Sequence, residues 1–281
     1  DTTAKVQAIV DTYASVLAAS FADPGTLSLE ASDYGSLSVT GVDADGASLL
    51  NSVLPGKDVG DVDSTAELQA FADQAQKVLA LASNANPDPA VTKADLEALG
   101  VTGVSDANLT AVLAAIEASD PTAVNTADKL NSVVTAGIAA YDDALLVVQN
   151  YADGGLTIPR ASDYQRLGLN ALAGDAQLID SVNSVLSSAK VVSSDISDAD
   201  DIQATADVYD LILTEAAADP GALQLSDGDY ALLGLDEVDV ATADLLNDVL
   251  AGKDVTEVDS WDELDAMAST AVRVTGTADG T

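Results

Sequence analysis

The chain has 281 residues, with 47 acidic against 10 basic side chains, a formal net charge of −37, and neither cysteine nor histidine. Such a surface repels phosphate backbones and anionic headgroups, whose ligands draw their affinity from Lys and Arg, so nucleic acid and membrane insertion are excluded as partners. Without Cys or His there is no thiolate nucleophile, no Ser-His-Asp triad and no zinc site of the usual ligands, which leaves carboxylates as the main chemical groups.

Hydrophobic residues make up 48% of the chain and aromatic residues only 4%. A core of Ala, Leu and Val suits close helix–helix approach, so the expected fold class is all-α. No apolar run is expected to approach the ~18 residues of a membrane helix. The chain opens on Asp1 without a basic-then-apolar leader and reads as an excised or processed piece.

The first predicted element is a long helix, because Val6, Ile9, Val10, Tyr13, Val16 and Leu17 fall on one face at 3 and 4 spacing. It stops at ADPG (22–25). LEASDYGSL (29–37) follows, and close variants return at 91–99, 159–167 and 225–233. Each predicts a short helix: Thr92 and Ser226 stand as N-caps with Asp95 and Asp229 at the third helical position, and Gly100, Gly168 and Gly234 end the turn. Asp33, Asp95, Asp163 and Asp229 recur at intervals of about 65 residues, longer than the usual solenoid repeat.

A hydrophobic link, VTGV at 39–42 and again at 101–104, leads to a medium helix begun by Asp43, Ser105 or Asp239 and closed near Gly56 or Gly252. A third, long helix is opened by Ser64 with Glu67 or Ser260 with Glu263. Its apolar face is Leu68, Phe71, Ala72, Ala75, Val78 and Leu79, or Leu130, Val133, Val134, Gly137, Ile138 and Tyr141. Breaks fall at NANPDPA (84–90), ADGG (152–155) and ADPG (218–221), where Pro and Gly end helices.

The division that follows is 1–24 as a long helix completing a preceding repeat, then repeat units 25–86, 87–153, 154–219 and 220–281. Each unit has one short, one medium and one long helix, and the units stack into a rod with neighbouring repeats as partners. The alternative is an α+β unit with strands at 27–33, 155–159 and VTGV. The outer units align without a gap from residues 23–25 and 219–221 to Ser64 and Ser260, with about half of the positions identical.

Candidate chemistry is sparse. Asp33, Asp163 and Asp229 beside Tyr34, Tyr164 and Tyr230 read as a helix start and a wedge of core, because the second copy keeps the shape with Leu96 and drops the hydroxyl. VDADG (42–46) resembles the middle of a calcium loop, but Gly41 and Ser52 stand where it needs acids. Asp58, Asp61 and Asp63, and again Asp254, Glu257 and Asp259, are candidates for a weakly bound Ca²⁺, set against a solvated helix entry in which the acids meet the dipole and Lys57 or Lys253. DISDADD (195–201) poses the same choice. No carboxylate pair is singled out by surrounding aromatics, so no enzyme is expected and no cofactor beyond that Ca²⁺.

LEALGVTGVSDANLTAVLAAI (96–116) and its relatives at 34–54, 164–186 and 230–250 resemble the helical tandem repeats of giant secreted bacterial surface adhesins of the RTX and biofilm-associated type. The resemblance implies export by a type I system, an extracellular cell-surface location and a stalk of modules that holds a binding tip away from the cell. It carries no functional residues, and calcium-binding nonapeptides of the GGxGxD kind are absent. The function expected is a structural spacer. A self-assembling filament or surface-layer subunit is the first alternative, and a peptide- or glycan-binding module with Trp261 as its exposed aromatic is the second.

Overall fold

The computed structural model describes residues 2–22, 26–216, 218 and 223–278, and every regular element among them is helical. The α+β alternative is overturned. Residues 27–30 and 155–159 are irregular, and 39–42 simply lead from one helix to the next. The backbone of Leu29 does pair, but with a side chain: its N–H donates to Asn51 Oδ1 at 3.1 Å and its C=O accepts from Asn51 Nδ2 at 2.8 Å. An amide side chain thus takes the place of a neighbouring strand. The ADPG breaks lie largely outside the described residues.

The helices run in the order α1 (Thr2–Phe21), α2 (Ala31–Ser36), α3 (Ala44–Val53), α4 (Thr65–Ala82), α5 (Lys93–Ala98), α6 (Leu109–Glu117) and α7 (Ala127–Ala152). They continue with α8 (Ala161–Arg166), α9 (Asn170–Gly174), α10 (Ala176–Leu186), α11 (Ala199–Ala216), α12 (Asp227–Leu232), α13 (Val240–Leu250) and α14 (Trp261–Ala278). Two compact units, Asp1–Ala139 and Ala140–Thr281, divide the chain within α7. In the first, α4 packs against α3, α5 and α6, and α1 packs on α2 and the turns at 54–56 and 59–61. In the second, α11 packs against α10, α12 and α13, and α14 against α13 and α10.

Local capping accounts for the four short helices. At their starts, the carboxylates of Asp33, Asp95, Asp163 and Asp229 accept from the N–H of Glu30, Thr92, Arg160 and Ser226 at 2.7–2.9 Å. At their ends, the N–H of Val39, Val101, Leu169 and Leu235 reaches back to the C=O of residue 34, 96, 164 and 230. The residue between is left-handed each time: Gly100, Gly168 and Gly234, but Ser38 at φ +64° in the first. That is the Schellman geometry, and the residue after the left-handed position is buried.

Several boundaries differ from those expected. Ser105 does not start α6. It exchanges hydrogen bonds with Asn108, whose amide also donates to Gly103 O, and the helix begins four residues later. The medium helix of the third segment is broken into α9 and α10 at Asp175, which accepts from the N–H of Gln177 and Leu178. Gly137 lets α7 approach α6, since a Cβ there would lie 2.9 Å from Ala115 Cβ. On α1 only Val16 of the predicted stripe is fully buried, while Val6, Ile9 and Val10 are exposed.

The expectation that no apolar run reaches membrane length also needs correcting, because α7 is long and apolar enough by length and composition. Any 18-residue window within it contains the adjacent Asp142 and Asp143, and a charge at a bilayer centre costs about 2.5–3.5 kcal/mol. Its buried residues, Leu130, Val134, Tyr141, Ala144 and Val148, instead follow the spacing of a helix seated on protein.

The left-handed cap positions lead to opposite expectations at two sites. Ser38→Gly relieves a strained conformation and should raise stability by about 1 kcal/mol. Gly234→Ala adds that strain and puts a Cβ 2.7 Å from Lys190 Cβ, so it should destabilise by about 2 kcal/mol. Thermal or urea unfolding of the two variants checks both signs.

Candidate functional site

The predicted motif residues converge on a buried polar contact. Tyr34, Tyr164 and Tyr230 have no exposed surface, and each hydroxyl donates to an asparagine of the following medium helix: Asn51 at 3.0 Å, Asn183 at 2.7 Å and Asn247 at 2.8 Å. The asparagine also holds the extended segment before the short helix, its Nδ2 donating to the C=O of Leu29, Pro159 or Leu225 at 2.8–3.0 Å. Its Oδ1 further accepts from the N–H of Leu29 and Leu225, whereas Pro159 has no N–H to offer. Tyr and Asn therefore clamp three chain segments together. In the second segment Leu96 takes the tyrosine position and Leu113 the asparagine position, so both ends change to apolar together.

Dropping the hydroxyl at Leu96 thus does not mean that the hydroxyl is idle elsewhere. The signal for the clamp was present in the sequence as an asparagine 17, 19 and 17 residues after the tyrosine. A further fixed contact went unseen. Lys77 Nζ on α4 pairs with Asp95 at 3.1 Å, and Asp95 is buried. Burial alone would raise that carboxyl, but the N–H and hydroxyl of Thr92 and the Lys77 ammonium outweigh it and hold it below its usual range.

The calcium candidates are not gathered into a cage. Asp58, Asp61 and Asp63 are exposed around the buried Val62, and Asp254 and Glu257 are exposed beside the buried Val258, with Asp259 half-buried. Glu257 accepts from Asp254 N–H at 3.1 Å and from Lys253 Nζ at 3.2 Å, contacts that pull its carboxyl down. Val258 C=O takes the hydroxyl of Tyr209 at 3.0 Å and Asp259 C=O that of Ser181 at 2.9 Å. Lys57 Nζ sits 5.4 Å from the Phe71 ring centroid; burial lowers its pKa, and the charge of Asp61 works against that. Among the described residues no group of three or more His, Cys, Asp or Glu could hold a metal ion together.

In VDADG, Asp43 caps α3 through Gly46 N–H at 2.8 Å while Asp45 accepts from Asn125 Nδ2 at 2.6 Å, so the two carboxylates serve different partners. In DISDADD, Asp195 and Asp201 accept from Val192 and Ser197 N–H. Asp201 also helps line a cavity of about 270 Å³ with Lys190, Asp195, Thr205 and Asp236. The Ser197 hydroxyl first, with nearby N–H groups, keeps the Asp201 carboxyl low. Trp261 is half-buried and tied down, its Nε1 donating to Leu233 O at 2.7 Å and its N–H to Ser184 Oγ at 2.8 Å.

General acid–base work needs groups drawn toward neutral pH. Here the perturbed carboxyls, Asp95, Asp153, Asp201, Asp239 and Glu257, all move down. The perturbed phenols all move up, chiefly through burial. Comparison with protein-family models, curated proteins and solved structures finds no match to this chain.

Two measurements probe these contacts. Tyr164→Phe should cost about 2–3 kcal/mol, because Asn183 Oδ1 loses the donor that Pro159 cannot replace, whereas Tyr34→Phe and Tyr230→Phe should cost about 1 kcal/mol. Urea denaturation of the three variants checks this order. Asp95→Asn should lower stability by about 1–2 kcal/mol at pH 7. Because the folded pKa of Asp95 is depressed, its contribution is present above the unfolded value near 3.9 and fades as pH falls through the folded one. The deficit should therefore hold above about pH 4 and narrow only as the pH falls below that, in acid titrations of wild type and variant.

Proposed function

We propose that this chain is a structural spacer: four helical modules of short, medium and long helix, 25–86, 87–153, 154–219 and 220–281, stacked into a rod behind the long helix 1–24. It belongs on this reading to a large extracellular bacterial surface protein of the adhesin type and performs no catalysis. The observation that carries the reading is a recurring link from one segment to the next. Ser52 Oγ on α3 accepts from Ala127 N–H at the start of α7 at 2.8 Å, and Ser184 Oγ on α10 accepts from Trp261 N–H at the start of α14 at the same distance. A medium helix thus caps the next segment's long helix at corresponding places in the chain.

Two further features support it. The long helices α4 and α11 are each packed between the medium helix before them and the helices after them, as stacking of modules requires. The acids that are perturbed are held by backbone N–H groups, hydroxyls or lysines, so they complete helix ends and turns. A net charge of −37 keeps such a segment soluble and separate from its neighbours in saline surroundings.

The purified chain should be monomeric by light scattering, with or without millimolar Ca²⁺, and calcium should give no saturable heat and no rise in melting temperature. Ordered polymers in negative stain would replace the spacer with the filament or surface-layer reading. A saturable calcium-binding isotherm would restore Asp58, Asp61, Asp63, Asp254, Glu257 and Asp259 as ligands.

A further inference from the structure

An apolar face on α1 is uncovered among the described residues. Val6, Ile9 and Val10 are 55%, 41% and 53% exposed, and Ile9 and Val10 border an open groove of about 560 Å³ whose other walls include Tyr13, Leu17 and Leu37. The same helix is buried farther along, at Val16 and Ala19. Half of one stripe is therefore covered and the other half is open.

The other long helices show what covers such a stripe. Position by position, Val6 and Val10 of α1 correspond to Leu68 and Ala72 of α4, Ile202 and Ala206 of α11, and Leu264 and Ala268 of α14. All six of those residues are buried. In these three helices the preceding medium helix packs on the long one: α3 on α4, α10 on α11 and α13 on α14. The covering helices share a pattern, LLNSVL in α3 and its following turn, LLNDVL in α13 and VNSVL in α10. The turns after α3 and α13 each bury one valine, Val62 and Val258.

We infer that the open half of α1 is a docking site for one kind of partner: a short-plus-medium helix segment with the Leu-Leu-Asn-x-Val-Leu stripe of α3 and α13. The inference rests on the modular reading above. Charge fits the assignment. Residues 2–21 carry only Lys5 and Asp11, so this face is nearly neutral on a strongly acidic chain. The acids of α13, Asp244 and Asp248, are exposed on the side away from its buried Leu246 and Leu250. An incoming helix of this type brings leucine to valine and keeps its carboxylates in water. A second copy of the whole chain is a poorer occupant, because its α3 and α13 faces are already covered by its own α4 and α14 and both partners carry the full net charge.

The chain has no cysteine, so Gln7→Cys places a single environment-sensitive fluorophore at the edge of the stripe in the full-length protein. The probe ligand is a synthetic peptide of residues 223–260. A saturable blue shift is expected, weakened about tenfold or more when the peptide carries Leu246→Asp and Leu250→Asp. The shift should also vanish in the Val6→Asp, Val10→Asp chain, whose melting temperature should stay close to the parent's because both side chains are exposed. No shift up to millimolar peptide, or an equal shift with the doubly substituted peptide, would overturn the inference while a monomeric protein leaves the spacer reading intact. A shift that grows with protein concentration alone would assign the face to a second copy instead.

Discussion

A phenol hydroxyl donated to an asparagine inside an otherwise apolar interior is the contact on which three of the segments depend. Cores of Ala, Leu and Val are adaptable: leucine surfaces slide over one another at small cost, so they reward burial without specifying register. A buried Tyr–Asn pair does specify it, because shifting either helix leaves a desolvated polar atom without a partner. Asn51, Asn183 and Asn247 go further and hold the backbone of the preceding extended segment. The short helix, the medium helix and the strand-like entry are thereby set relative to one another at a single point. Where leucines occupy both positions, at 96 and 113, the neighbouring Lys77–Asp95 pair supplies another buried polar anchor.

The acids follow a related logic. Four of them close the first turns of short helices through a single hydrogen bond to a backbone N–H. Others do the same at α3, α10 and α13. Anions near helix N-termini meet the positive end of the dipole and satisfy N–H groups that have no partner within the helix. A surface built this way is strongly negative, with part of its charge committed to helix starts. That is the physical content of the spacer proposal: the acids of the recurring motif finish helices.

Much of the local structure was legible in advance, and the misses have identifiable causes. Capping boxes, glycine stops and 3,4 stripes are written within a few residues, so the short and long helices could be placed from Thr92, Ser226, Gly168 or Leu68 alone. The start of α6 differs from the expected Ser105 because Ser105 and Asn108 both have capping chemistry and only their reciprocal hydrogen bonds show that a turn intervenes. Leu96 by itself hides the role of the tyrosine hydroxyl, because the matching change to Leu113 lies 17 residues farther on. A one-sided change looks like tolerance, whereas a two-sided change reveals a contact. Trp261 looked available because its partners, Ser184 and Leu233, lie 77 and 28 residues away.

By itself the amino-acid sequence determined the all-helical class, the order of short, medium and long helices, and the ends of most of them, since these depend on propensities and hydrogen bonds between near neighbours. Only the tertiary structure decided which stripes are covered, which carboxylates share a partner and which asparagine receives which phenol. Those outcomes depend on distances between residues far apart in the chain, and a residue's pattern cannot reveal whether its apolar face meets another helix. Val6 and Leu68 read alike as sequence; one is open and the other buried because α3 packs on α4 and no helix covers the first half of α1 among the described residues.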